Sequence, residues 1–232
     1  MKTQDLAAYS AAALKNGEEL SNESALLYDH GHFARAYFLA VAAIEEIGKA
    51  IMAFDAQGRN LDDPAVTSKV QRSLANHASK IRSAFIGFLV ADPRKNTEIA
   101  VELIVQLQRG REPSMYTDQA EDGSISVPGM VVRERSAFDC VRLSKHCLAS
   151  ARSHLSSTSP AQRTRADDQL FALRTSQVSE LMNKEDFWWY YISRMEAGQM
   201  GYAEAVIQYR QNYALPGKLF KHAAPEGAGD PA

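Results

Sequence analysis

The sequence predicts an all-α protein, a helical bundle with further helices appended, and three observations predict it. Apolar residues recur at spacings of three and four over long stretches, which is the helical period, and no segment alternates with the period of a strand. Ala, Leu, Glu and Lys, which favour helix, fill the stretches between breaks. The breaks themselves are sharp, at Gly31, Gln57-Gly58, Asp62-Asp63-Pro64, Asp92-Pro93 and Pro160.

The first helix is expected over Thr3 to Asp29, where Leu6, Ala13, Leu20 and Leu27 repeat every seven residues, with Gly17 and Ser21-Asn22 weakening its middle. Gly31 ends it, because glycine adopts the left-handed cap conformation that other residues resist. A second helix follows from His32 to Asp55, and so short a connection favours an antiparallel hairpin. Tyr37, Ala40, Ile44, Ile47 and Ile51 give it a wide apolar stripe, and everything else is organised around it. A third helix is expected from Ala65 to Val90, with Val70, Leu74, His77, Ile81, Ala84 and Phe88 along one stripe. A fourth runs from Lys95 to Gln108 and a fifth from Val132 to Ser156. Between them lies a long polar loop, from Ser114 to Pro128, of the kind that carries function.

Residues 1–157 are expected to form the bundle, 158–215 a helical extension and 216–232 a flexible tail. Within the extension, Leu170, Leu173, Val178 and Leu181 share one helical segment. Five consecutive aromatics, Phe187 to Tyr191, cover most of a helix circumference and cannot all face one core.

With 26 basic and 28 acidic residues the formal charge is −2, so nucleic-acid binding requires a local patch rather than an overall basic footprint. Cys140 and Cys147, seven apart on one helix, cannot bridge each other and lack zinc-type spacing, so they read as reduced core thiols. His30 and His32 flank a turn with no further ligand set nearby, and no metal or cofactor is expected. No apolar segment reaches membrane-spanning length and the start lacks a leader pattern, which suggests a soluble cytoplasmic protein.

The chemistry on offer sits on the second and third helices and the loop. Glu45 and Lys49 are four apart in the favourable order for pairing, with Glu46 turned further toward the polar side; such a group is a site or a solvated helix edge. His77 and Lys80 lie one turn apart. Arg72 and His77 form R-x4-H, and an arginine near a histidine suits RNA cleavage by a proton-moving histidine and a charge-stabilising cation. On one unbroken helix, however, five positions separate their side chains by about 140°. A more coherent set has His77 as acid or base, Lys80 and Arg111 as phosphate-holding cations and Tyr116 as a hydroxyl donor, with Glu45 and Lys49 beside them.

Three blocks in order, Gly31-His-Phe-Ala-Arg-Ala-Tyr37 through Ala43-Ile-Glu-Glu-Ile-Gly-Lys49, Asn76-His-Ala-Ser-Lys80, and Arg111-Glu-Pro-Ser-Met-Tyr-Thr-Asp118 followed by a glycine and Pro128, resemble the abortive-infection AbiV type of HEPN protein. The resemblance covers residues 1 to 157. It implies a HEPN helical bundle, commonly a homodimer, acting in antiphage defence, and marks Glu45, Lys49, Lys80, Arg111, Tyr116 and Asp118 as the characteristic set. Many HEPN proteins are metal-independent ribonucleases with an arginine and a histidine four to six residues apart, so RNA is the suspected partner. The alternatives are an effector that blocks translation or senses a phage protein by docking, and the neutralising member of a toxin–antitoxin pair.

Overall fold

The structure, a computed structural model, describes residues 2–91, 107, 110–119, 122–198, 201–213 and 220, with only the backbone for 86–91. It is helical almost throughout and divides into two compact units, residues 1–61 with 70–161 and residues 62–69 with 162–232.

In the first unit, α1 (Thr3–Asp29) and α2 (Phe33–Ala56) form the expected hairpin. Gly31 takes φ +77°, its N–H donates to the Tyr28 carbonyl at 2.9 Å, and the His32 N–H donates to the Leu27 carbonyl at 2.9 Å. That pair of bonds is the Schellman cap that glycine makes accessible. The contact face of α1 differs from the leucine heptad expected: it is Leu6, Ser10, Ala13, Gly17, Ser21 and Ser24, while Leu20 is only half-buried. Small residues win this seam because they let α1 lie close against α2. Their hydroxyls are satisfied, Ser10 Oγ donating to the Ala50 carbonyl and Ser21 Oγ sharing a hydrogen with Ser144 Oγ, each at 2.8 Å.

Helix α2 is buried nearly all round, from Ala34 to Ala56, because three helices pack on it: α1, α4 (His77–Ala91) and α6 (Glu134–Ser157). Ile44, Ile47, Val41, Ile81 and Phe85 are fully or almost fully enclosed there. Cys140 and Cys147 are buried free thiols in this core, and burial pushes Cys147 up to about 12. Phe138 on α6 is 46% exposed. The helix begins at Glu134 rather than Val132, preceded by the single turn α5 (Pro128–Val131) with its proline in the first turn.

The expected third helix is two. Helix α3 (Pro64–Ala75) stops before Asn76, and α4 starts at His77. Asn76 caps α4, its side-chain oxygen accepting from the Ser79 N–H at 2.8 Å. The helix expected over Lys95 to Gln108 lies outside the described residues except for Leu107, which is helical and buried. In the polar loop, β1 (Asp118–Gln119) pairs antiparallel with β2 (Ile125–Ser126), a short hairpin that the helical reading did not contain.

In the second unit the segment expected as one helix through Leu170 and Leu181 is α7 (Arg165–Ala172) and α8 (Thr175–Met182), broken at Leu173 and Arg174. Thr164 and Asp167 form a capping box at the start of α7. Helices α9 (Glu185–Glu196) and α10 (Tyr202–Tyr213) enclose Phe187, Tyr190 and Tyr209, all fully buried. The five-aromatic run divides as its geometry demands, with Phe187 and Tyr190 inside and Trp189 40% exposed. Of the C-terminal tail, Phe220 is described, its ring edge-on to Tyr190 at 5.3 Å. No helix among the described residues is long and apolar enough to cross a membrane.

Candidate functional site

Glu45 is the one acidic side chain on the buried surface of α2, 5% exposed, and three nitrogen-bearing side chains, two of them fixed cations, converge on it from two other segments. Oε2 accepts from His77 Nδ1 at 2.7 Å and lies 2.9 Å from Lys80 Nζ. Oε1 lies 3.0 Å from Arg111 Nε, an ion-pair contact whose N–H is not aimed at the oxygen, so Oε1 accepts no hydrogen bond.

The backbone explains why these groups meet. Gly48 stands one turn along α2 from Glu45, and a Cβ there would overlap the carbonyl group of Lys80. Only glycine lets α4 cross α2 this closely, and the crossing lays Lys80 and its neighbour one turn earlier, His77, over the carboxylate. Arg111 arrives by a second close approach. Gly110 sits against the Tyr37 side chain, where a Cβ would overlap the hydroxyl oxygen, and the following turn is wound by bonds from the Ser114 N–H to the Gly110 carbonyl (3.2 Å) and from Ser114 Oγ to the Arg111 carbonyl (2.6 Å). Burial raises the Tyr37 phenol well above its usual range, so it packs here as a neutral group.

Burial by itself would raise the Glu45 carboxyl, but hydrogen bonds from Lys80 and His77 and the charge on both outweigh it and hold Glu45 below the usual carboxylate range. A carboxylate can only accept, so His77 Nδ1 carries the hydrogen it shares with Glu45. The other ring nitrogen, Nε2, is left for an incoming group, on a side chain 54% exposed. Lys80 is enclosed and Arg111 is a quarter exposed, so the two fixed cations outnumber the single carboxylate and the centre carries excess positive charge.

Three sequence expectations are corrected here. Lys49 does not pair with Glu45; it bonds Glu46 one turn away, and both are largely covered rather than on a polar edge. His77 is not part of an apolar stripe but opens α4 and points to its carboxylate partner. Arg72 and His77 are not on one unbroken helix: Arg72 is exposed in the last turn of α3, across the break at Asn76, and is not among the groups on Glu45. Of the remaining expected residues, Tyr116 is 56% exposed beyond the Arg111 turn, and Asp118 is exposed in β1 with its carboxylate accepting from the Gln119 N–H.

Gly48, Asn76 and Ser114 stand inside the blocks that carry the family resemblance, but neither they nor Gly110 were given a role from the sequence. A glycine inside an apolar helix signals a close backbone approach, and an asparagine within a helical pattern is a candidate cap; both signals were present.

Among the described residues no group of three or more His, Cys, Asp or Glu side chains is placed to hold a metal ion. No curated protein and no solved structure matches the chain. A profile of the HEPN_AbiV family, described as AbiV, matches residues 5–149, a span that contains α2 and α4, nearly all of α1, the whole Glu45 centre and most of α6. The chain therefore belongs to the AbiV family and is an abortive-infection protein of HEPN type.

Proposed function

We propose that this protein arrests the infected cell by cutting RNA, with His77 moving the proton and no metal taking part. The observation that carries the reading is the 2.7 Å bond between His77 Nδ1 and the buried Glu45 carboxylate, which fixes the ring and leaves Nε2 outward beside an excess of positive charge. Nε2 takes the proton of a ribose 2′-hydroxyl as that oxygen bonds to the adjacent phosphorus. The bond from phosphorus to the 5′-oxygen breaks, and the leaving oxygen takes a proton from water. Arg111, the more exposed of the two fixed cations, stabilises the charge on the phosphoryl oxygens. Lys80, enclosed against Glu45, acts from behind as a counter-charge. In solution the protein works as a homodimer in the cytoplasm, triggered by a phage product.

The test uses purified protein and a labelled single-stranded RNA. The reading expects fragments ending in 2′,3′-cyclic phosphate, formed equally in the presence of a chelator and absent when the ribose at the cut is 2′-deoxy. Cleavage of the deoxy substrate, or activity that a chelator abolishes and one divalent ion restores, would overturn it. Arrest of growth with RNA intact would move the function to docking a partner.

A further inference from the structure

A second feature of the first unit is a cleft of about 760 Å³ between the α1–α2 turn and the loop around Met115 and Pro128, within the size range of ligand sites. Phe33, Phe38 and Met115 give it apolar and aromatic surface, Arg35 gives it positive charge and His32 an imidazole; no described residue that lines it is a carboxylate. Such a lining suits a ligand that combines flat rings with negative charge.

The cleft is tied to the Glu45 centre in two ways. Phe38 and Glu45 are seven residues apart on α2, which places them on the same face within about 20° and separates them by about 10 Å along the axis. The turn that delivers Arg111 to Glu45 continues directly into Ser114 and Met115, which line the cleft. We infer that the cleft holds single-stranded RNA next to the phosphate that is cut, its aromatic surface taking a base and Arg35 the backbone. This rests on the ribonuclease reading for the position of the cut, but the binding it asserts is measurable without cleavage.

The experiment is fluorescence anisotropy of the full chain with a labelled 2′-O-methyl oligoribonucleotide, which lacks the attacking hydroxyl. Two variants leave the Glu45 centre untouched. Arg35→Glu reverses an exposed charge, and Gly129→Trp fills the cleft from a position where an added Cβ meets no atom within 4 Å. With thermal unfolding unchanged, each variant is expected to weaken binding about tenfold or more, the loss of one stacked base or its charge. Equal affinity in wild type and both variants would overturn the cleft assignment while leaving the ribonuclease reading to its own test. Absence of binding by the wild type would also overturn it. So would a concentration-dependent dimer that Gly129→Trp dissolves, since the occupant would then be a second copy of the chain. Weakened binding in both variants with no cleavage of natural RNA would uphold the cleft and remove the ribonuclease.

Discussion

The first unit brings its helices together through small side chains, whereas the second fills its interior with rings. Gly17, Gly48, Gly110, Ser10, Ser21 and many alanines lie at the helix contacts of the first. In the second, Phe187 meets Trp188, Tyr202 and Tyr209 edge-on at 5.2–6.2 Å, and Tyr190 meets Tyr209 and Tyr213 at 5.6 and 5.5 Å. Rings fill space by area and tolerate several tilts. Small residues instead let backbones touch, and a fixed backbone distance is what a buried polar cluster needs to keep every bond short. The charged centre occurs where Gly48 allows α4 against α2.

That contrast is broken most severely by Glu45→Ala. Removing the carboxylate leaves Lys80 enclosed without its counter-charge, and the expected cost is about 3–5 kcal/mol of unfolding free energy, measured by urea titration. A change under about 1 kcal/mol would mean that the centre contributes little to holding α4 on α2. Gly48→Ala adds one methyl group where the Lys80 carbonyl lies, so α4 must shift; overpacking of this kind costs about 1–3 kcal/mol. RNA cleavage should fall along with stability, because the shift carries His77 and Lys80 away from Glu45.

Acid sharpens the comparison more gently. Glu45 titrates below its ordinary value of 4.5, so between that value and its folded one the unfolded chain binds the proton and the folded chain does not. The stabilisation is complete above 4.5 and is lost as the pH falls through the folded value. Urea midpoints from pH 7 downward should therefore fall more steeply below about 4.5 in the wild type than in Glu45→Gln, which has no carboxyl to protonate. Parallel slopes would show that Glu45 is not held as a carboxylate.

Much of the first unit was legible because helical periodicity is local: the apolar stripe of α2 and the left-handed Gly31 can be read from neighbours in the chain. The members of the centre, Glu45, His77, Lys80 and Arg111, were legible as residue types in suggestive places. Their pairing was not. Spacing within one helix joins Glu45 to Lys49, but a buried carboxylate is partnered by whatever helix crosses above it, and that crossing is set by Gly48. The same limit hid the break at Asn76, where one side-chain cap outweighs an apolar pattern that runs straight through it.

The central claim is that His77, held by Glu45, moves the proton in RNA cleavage, and end-mapping of RNA from cells tests it most directly. Cells expressing the wild type should accumulate new 2′,3′-cyclic phosphate ends, and cells expressing an equally abundant, folded His77→Ala should show none. The same ends in both, or intact RNA in wild-type cells that have stopped growing, would contradict it.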